Sequence, residues 1–149
     1  MSSTIHTTRA GSAAVKPLWF VGGTLAAITF SEPSYWRFTF STGASVSVEC
    51  LWRVLNTGAI IVTSEDHGQK FGLPHPIDAA SRASGLLVGE AVAQFTLRED
   101  TLDLSFVFSN GHRLEVLPTS AGYEAWQIVS PQRQHVIAQG GGQLCTYAE

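Results

Sequence analysis

The densest group of polar side chains in this sequence lies near its middle, at residues 64–69 (Ser-Glu-Asp-His-Gly-Gln). An aspartate beside a histidine can orient the imidazole as a general base, and Gln69 would add a neutral hydrogen-bond donor. Adjacent side chains on an extended chain point to opposite sides, so Asp66 reaches His67 only through a turn. A solvated loop is the simplest interpretation, contact with a ligand or a protein partner is the second, and catalysis is the third.

A second candidate surface is the segment at residues 122–126 (Gly-Tyr-Glu-Ala-Trp). Large amphipathic rings such as Tyr123 and Trp126 anchor many binding surfaces. Strand alternation places Glu124 on the same face as Trp126, towards the core, unless the strand bulges there. A buried carboxylate needs a partner, and the candidate partners are three arginines, Arg37, Arg53 and Arg113. The simpler interpretation is that both rings pack this segment against a sheet.

Metal and nucleophile chemistry find little support in the sequence. The five histidines show no i, i+2 or i, i+4 pairing, and His75 lies in a stiff extended segment between Pro74 and Pro76. The two cysteines, Cys50 and Cys145, form no Cys-x-x-Cys pair, so we expect two reduced thiols in a cytoplasm. Cys50 is expected to be a small core residue. We predict neither a bound metal nor a cofactor.

Composition and missing motifs exclude several classes of protein. The sequence has no phosphate-binding loop, dinucleotide fingerprint, nucleophile elbow or zinc-protease motif. Among its 149 residues, 44% are hydrophobic, 14% are charged, and the net charge is −3. That charge provides no basic surface for a phosphate backbone, and no apolar run reaches the roughly 18 residues of a membrane helix. We therefore expect neither nucleic acid nor a membrane as a partner.

The chain contains an internal repeat. Residues 38–43 (Phe-Thr-Phe-Ser-Thr-Gly) match residues 106–111 (Phe-Val-Phe-Ser-Asn-Gly), which lie 68 positions later. Farther along, residues 52–54 correspond to residues 126–128 once six residues around 118–123 are counted as an insertion in the second copy. The ordered series of matches indicates a duplication and predicts that the two copies fold alike.

Within each copy, apolar side chains alternate with polar ones, which predicts antiparallel strands with one buried face. Residues 46–54 are predicted to form one strand of this kind, with a lapse at Leu51. The pair Asn110-Gly111 predicts a hairpin with a type I′ turn. The predicted fold is mainly β: internally duplicated antiparallel meanders of about eight to ten strands that form a sandwich or a partly closed barrel. Its core is expected to hold Trp36, Trp52, Trp126, Phe38, Phe40, Phe106 and Phe108.

The domain organisation follows from the repeat. Residues 1–16 are expected to be a disordered lead, and residues 17–149 a single domain. The domain divides into repeat one, a linker loop with a short helix, and repeat two, at about residues 22–63, 64–89 and 90–148. The helix is expected over Ala79 to Leu87, with Pro76 in its first turn or Asp78 as its cap.

Four short motifs resemble those of a family of small uncharacterised bacterial β proteins. They are the Trp-Arg strand at residues 52–53, the Asp-His-Gly-Gln-x-Phe-Gly loop at 66–72, the Gly-Tyr-Glu-x-Trp insertion at 122–126 and the glycine run at 140–142. Some such families resemble immunity proteins encoded beside secreted toxins. The resemblance covers roughly Trp19 to Tyr147. It implies a cytoplasmic protein that acts by stoichiometric binding, and it supplies no established catalytic residues to carry over to this chain.

Together these observations predict a non-catalytic, immunity-like protein that neutralises a toxin-like protein partner. The loop at residues 64–75 and the insertion at residues 118–124 both break the repeat, where specificity is most easily varied. The predicted contact residues are Asp66, His67, Gln69, Lys70, His75, Tyr123 and Glu124. One alternative is a small-molecule-binding protein or enzyme with a pocket between the repeats near His67. Another is a structural module that forms a homodimer through edge strands, in keeping with the low charge and scarcity of lysine.

Overall fold

The computed structural model describes residues 8–149. Residues 1–7 of the expected lead lie outside the described residues, and the remainder of that lead includes a short strand. The described part of the chain contains one α-helix and twelve strands: β1 (Thr8–Ala10), β2 (Leu25–Ser31), β3 (Tyr35–Phe40), β4 (Ser45–Val48), β5 (Leu51–Asn56), β6 (Ala59–Thr63), α1 (Ala79–Leu87), β7 (Val92–Leu97), β8 (Leu104–Phe108), β9 (His112–Leu117), β10 (Trp126–Val129), β11 (Gln134–Gln139) and β12 (Gln143–Ala148).

The strands form two antiparallel sheets that pack face to face. The larger sheet has seven strands in the order β1-β12-β11-β10-β4-β3-β2, and the smaller has five in the order β6-β5-β9-β8-β7. Neither sheet closes into a barrel. The predicted mainly β fold with duplicated antiparallel meanders is confirmed, as a sandwich, but the described residues form twelve strands and not the eight to ten that were predicted.

Each repeat is divided between the two sheets. In repeat one, β2, β3 and β4 lie in the larger sheet, and the chain then crosses to the smaller sheet for β5 and β6. Repeat two does the reverse with β7–β9 and β10–β11. The prediction of one strand over residues 46–54 is therefore wrong: the chain changes sheet at Glu49-Cys50, and this change of direction underlies the lapse in alternation at Leu51.

The exchange of strands gives the domain a pseudo-two-fold arrangement. Trp52 of β5 pairs with Val116 of β9, and Trp126 of β10 pairs with Val48 of β4, so each crossing strand joins the meander of the other repeat. The correspondence extends to the predicted start of each repeat, where the amide of Gly22 donates to the carbonyl of Val92 and the amide of Gly89 donates to that of Leu25. The repeat thus includes the segment before each opening strand.

The aromatic side chains that were predicted to form the core are buried between the sheets. They pack mainly edge to face, as in the contact between Trp36 and Trp52, whose ring centroids are 5.0 Å apart. At roughly 25 cal/mol per Å² and some 150–250 Å² for each aromatic side chain, each ring contributes several kcal/mol of gross burial energy. Packing of these rings holds the two sheets together. The two crossings between the sheets lie next to each other at one end of the sandwich, where the amide of Glu49 donates to the carbonyl of Ala125.

The helix and the turns follow local sequence signals. Asp78 caps α1 by accepting a hydrogen bond from the amide of Ser81 at 3.0 Å, as predicted. The hairpin at Asn110-Gly111 forms, but the type I′ turn predicted there is wrong. Positive φ falls on Gly111 and not on Asn110, and a turn with positive φ at both central residues occurs instead at Thr57-Gly58.

Two further features of the described residues concern the helices of the chain and its cysteines. None of its helices is both long enough and apolar enough to span a membrane. Cys50 and Cys145 are both free thiols.

Candidate functional site: the crossover groove

A groove runs across the end of the sandwich where both repeats change sheet. Two adjoining depressions of about 450 Å³ and 320 Å³ form it, and they share Ser34, Glu49, Cys50 and Thr119. Its walls come from the β2–β3 turn, the β4–β5 crossing, the 3-10 turn that follows β6, and the inserted segment between β9 and β10. We call this feature the crossover groove. It is the place where the polar loop and the insertion meet.

His67 forms part of one wall of the crossover groove. Its Nδ1 accepts a hydrogen bond of 3.1 Å from the amide of Ala79, the first residue of α1. The ring packs against Phe30 and Trp36, with centroid distances of 4.4 and 5.2 Å. Because Nδ1 is an acceptor, the neutral ring carries its proton on Nε2 and has no free lone pair there for a general base. This hydrogen bond holds the first residue of α1 against the wall of the groove.

Asp66 does not orient His67. Its carboxylate accepts a hydrogen bond of 2.9 Å from the amide of Thr63, and the Thr63 hydroxyl accepts one of 3.1 Å from the amide of Glu65. This reciprocal pair is a capping box, and it closes the 3-10 turn at Ser64–Asp66. The hypothesis of an Asp66–His67 catalytic pair therefore finds no support in the geometry.

Three carboxylates line the crossover groove: Glu49 from the β4–β5 crossing, Glu65 from the 3-10 turn and Glu124 from the insertion. No lysine or arginine is among the described residues that line it. Burial raises the pKa of Glu124 above its usual value, and the nearby charge of Glu49 raises it further. The groove is thus an acidic surface on which two carboxylates repel each other.

Glu124 also corrects one expectation from the sequence. Strand alternation put its side chain on the core face with Trp126, but β10 begins only at Trp126, and Glu124 lies before it on the exposed insertion. None of the proposed arginines pairs with it. Arg53 instead forms an ion pair of 2.8 Å with Glu115 on the outer face of the smaller sheet.

Cys50 lies in the crossover groove, at the point where the chain leaves the larger sheet. It is half-buried and packs against the hydrophobic core, but it lies outside the strands, so the predicted position on an inward strand face is wrong. Burial is the largest effect on its thiol and raises its pKa to about 12. A thiol with such a pKa is almost wholly protonated near neutral pH, which makes it a poor nucleophile.

The two repeats differ at the turn between their first two meander strands, and the turn of repeat one is the one that lines the crossover groove. In repeat two, the buried side chain of Leu102 lies at the β7–β8 turn, and its carbonyl accepts a hydrogen bond of 2.8 Å from Nε1 of Trp126. The matching position in repeat one is Ser34, which is exposed and lines the groove. The equivalent nitrogen, Nε1 of Trp52, is buried without a hydrogen-bond partner.

The insertion is held in place by the glycine run between β11 and β12. A Cβ atom at Gly140 would lie 2.5 Å from the backbone of Gly122, so only glycine permits this approach. The Ser120 hydroxyl accepts a hydrogen bond of 2.9 Å from the amide of Tyr123. The Tyr123 side chain is 83% exposed at the rim of the groove, so it does not pack against a sheet as the simpler interpretation of the sequence had it.

The remaining predicted contact residues lie on the loop that follows His67. Residues 68–77 form this loop, which is exposed except at Ile77 and which we call the tongue, and backbone hydrogen bonds of 2.8 Å join Gly68 to Ile77 and Ile77 to Gln69 at its base. Gln69, Lys70 and His75 are all exposed on it. His75 borders a separate depression of about 330 Å³ beside α1.

The structure thus brings His67, Tyr123 and Glu124 to one groove, places Asp66 at its edge, and sets the other three on the tongue. Sequence reasoning missed Glu49, Glu65 and the groove position of Cys50. The repeat alignment could have pointed to Glu49 and Cys50, because these residues occupy the position in repeat one at which repeat two has its insertion. In the described part of the chain, no cluster of three or more His, Cys, Asp or Glu side chains could hold a metal ion.

Comparison with known proteins identifies the family alone. No curated protein and no solved structure matches the chain significantly. The model of DUF6188, described as a family of unknown function, matches residues 16–148, and the chain therefore belongs to that family.

Proposed function

We propose that this protein is a non-catalytic binding protein that holds a basic segment of a protein partner in the crossover groove. The observation that carries the proposal is the convergence of the two repeat-breaking segments on one groove whose described lining has three carboxylates and no lysine or arginine. Complementary charge gives specificity and speeds association between proteins.

The electrostatics of the groove favour a cationic occupant. Glu124 and Glu49 repel each other, and the raised pKa of Glu124 reflects burial together with that repulsion. A lysine or arginine side chain placed between them would remove the repulsion and favour the charged form of Glu124. The exposed ring of Tyr123 at the rim adds a second source of binding energy.

The same geometry argues against chemistry in the groove. The high pKa of Cys50 withholds the thiolate that a nucleophile needs. The Nδ1 atom of His67 is engaged by the amide of Ala79, and Asp66 is engaged by Thr63. The groups that would make up a catalytic pair are therefore committed to holding the backbone.

We further propose that the protein has an immunity-like role in the cytoplasm and that its partner is a toxin. The support for this role is the resemblance of the four short motifs, together with the pair of free thiols. The acidic groove adds a chemical requirement for that partner, which must present lysine or arginine side chains on an exposed segment.

A cationic small molecule is the second candidate occupant. The larger depression, at about 450 Å³, falls within the range of roughly 300–1,000 Å³ that is usual for small-molecule sites. A small cation and a basic peptide differ in the length of groove that they can occupy. Only the peptide extends from the larger depression to Glu124 and Tyr123, which line the smaller one.

The experiment is a titration of the full chain with acetylated, amidated pentalysine, followed by tryptophan fluorescence and calorimetry at low salt. Pentaglutamate and spermidine are the comparison probes. We expect saturable binding of pentalysine that weakens as salt rises, weaker binding of spermidine, and none of pentaglutamate. Spermidine binding as tightly as pentalysine would favour the small-molecule candidate instead.

A triple variant, Glu49→Gln, Glu65→Gln and Glu124→Gln, tests the location of binding. We expect it to lose at least about tenfold in affinity, which corresponds to about 1.4 kcal/mol. The control for the loss of one carboxylate is Glu90→Gln, at the opposite end of the sheets, where Glu90 accepts a hydrogen bond from Ser109. Equal binding by the triple variant and the control would contradict the proposal.

A further inference from the structure

The tongue exposes apolar side chains that no other part of the described chain covers. All of residues 68–76 are exposed, and at its tip the Phe71 side chain is 68% exposed and Leu73 is 47% exposed. A hydrogen bond of 2.7 Å from the amide of Leu73 to the carbonyl of Lys70 holds the tip in a tight turn. Large apolar groups held in this way on a surface are typical of contact sites.

The tongue and the crossover groove are complementary in both charge and polarity. Residues 68–77 contain Lys70 and His75 but no aspartate or glutamate. The groove has its three carboxylates over a wall that includes Phe30 and Trp36. An apolar tip that carries a lysine therefore matches an acidic groove with an aromatic wall.

The two features are also neighbours on the surface, because His67 lines the groove and Gly68 begins the tongue. A closed two-fold dimer buries the same patch on both subunits, so each half of the patch must fit the other half. Adjacent, mutually complementary halves meet that requirement.

We propose that two copies of this chain form a two-fold dimer in which the tongue of each copy occupies the crossover groove of the other. The proposal extends the proposed function, since it concerns the same groove: the tongue of the second copy fills it until the basic segment of a partner displaces that tongue. In the absence of a partner, the groove of each copy is thus proposed to hold Lys70 and Phe71 of the other copy.

The test is sedimentation velocity over rising protein concentration, with two charge reversals, Lys70→Glu and Glu124→Lys. We expect the wild-type chain to pass from its 16.0 kDa mass to twice that mass. Each reversal alone places like charges together at both contacts, so each is expected to raise the dimer dissociation constant about tenfold or more.

An equimolar mixture of the two variants provides the decisive result. In a mixed dimer, the tongue altered by Lys70→Glu meets the groove altered by Glu124→Lys, and the other contact is native. We expect the mixture to dimerise nearly as well as the wild type. A wild-type chain that stays monomeric, single variants that dimerise normally, or a mixture that stays monomeric would each overturn the proposal.

Phe71→Ser serves as an uncharged second variant on the exposed tip, and we expect it to weaken the dimer as well. A dimer that tolerates all three substitutions would instead use edge strands, which overturns the proposal. Titration of Lys70→Glu with pentalysine separates this inference from the proposed function. Binding of pentalysine by a chain that forms no dimer contradicts only the inference. A wild-type dimer together with a monomeric Lys70→Glu variant that binds no pentalysine contradicts only the proposed function.

Discussion

Nε1 of Trp126 donates a hydrogen bond of 2.8 Å to the carbonyl of Leu102, whereas Nε1 of Trp52, the equivalent atom in the other repeat, is buried without a partner. Both side chains are fully buried and belong to strands that cross between the sheets. Ser34 stands at the position of Leu102 in the other repeat, where it is exposed and lines the crossover groove. The repeat whose turn lines the groove therefore differs from the other by a buried donor without a partner and an exposed serine in place of a buried leucine.

The two tryptophans are expected to differ in what their replacement costs. Trp126→Phe leaves the buried Leu102 carbonyl without a donor, while Trp52→Phe removes a donor that has no partner. Both substitutions remove the same side-chain volume, so we expect Trp126→Phe to lower the free energy of unfolding by about 1–3 kcal/mol more than Trp52→Phe. Urea denaturation of the two variants measures this difference. Equal losses would show that the missing hydrogen bond has no energetic consequence.

Glu124 is expected to make stability depend on pH. A glutamate whose pKa is raised by folding holds its proton more tightly in the folded chain. Its contribution to stability is therefore complete below the unfolded pKa, near 4.5, and is lost as the pH rises through the folded pKa. Glu49→Gln removes the repelling charge but not the burial, so we expect the pKa of Glu124 to fall part of the way back. Carbon-13 NMR titration of the Glu124 carboxyl measures this.

The Glu49→Gln titration has a matched control in Glu90→Gln, which removes a carboxylate from the opposite end of the sheets. That control should leave the titration of Glu124 unchanged. The electrostatic description of the groove would be contradicted if Glu124 titrated at the same pH with and without Glu49.

Cys50 is expected to react slowly in the folded chain. Its pKa of about 12, against 9.0 for an unperturbed thiol, lowers the thiolate fraction near pH 8 about thousandfold. In a Cys145→Ser variant we expect folded Cys50 to react with a disulfide reagent far more slowly than the same residue in denaturant. Cys50→Ser reports Cys145 separately. Similar rates for Cys50 in the folded and unfolded chains would reopen the case for a nucleophile in the groove.

Two glycines are expected to respond to alanine in opposite directions. At Gly140, a Cβ would meet the backbone of Gly122, so Gly140→Ala is expected to displace the insertion and cost about 1–3 kcal/mol of stability. At Gly85, exposed on α1, a Cβ would meet nothing within 4 Å, so Gly85→Ala is expected to stabilise by roughly 0.5–1 kcal/mol. Thermal unfolding ranks the variants, and the Tyr123 amide signal reports the insertion. An unchanged Tyr123 amide signal in Gly140→Ala would contradict the claim that the glycine run holds the insertion in place.

Much of the fold could be predicted because side chains that are buried between sheets recur at every second position of a strand, and because the duplication repeats that pattern in both halves of the chain. Phe38 and Phe106 have equivalent buried positions, and Asp78 caps the helix through local chemistry. The change of sheet at Glu49-Cys50 was not predicted, because the buried positions keep a period of two from β4 into β5 and the single lapse at Leu51 does not distinguish a crossing from a continuous strand. Pairing between β5 and β9 depends on contacts far apart in sequence.

The candidate site was predictable only in part, for related reasons. The loop and the insertion attract notice because they break the repeat, and this led to His67, Tyr123 and Glu124. Glu49 and Glu65 carry no such signal, because an exposed glutamate is common in any sequence. Their role depends on the fold, which brings the β4–β5 crossing beside the insertion through the hydrogen bond from the amide of Glu49 to the carbonyl of Ala125, 2.9 Å long.

Amide NMR spectra recorded during addition of pentalysine test most directly whether the crossover groove receives a basic protein segment. We predict that the signals of Glu49, Thr119 and Glu124 move together and saturate, and that those of Glu90 and Gly111, at the far end of the sheets, stay in place. Saturating shifts centred anywhere else on the protein, or none at low salt, would contradict a basic segment in this groove.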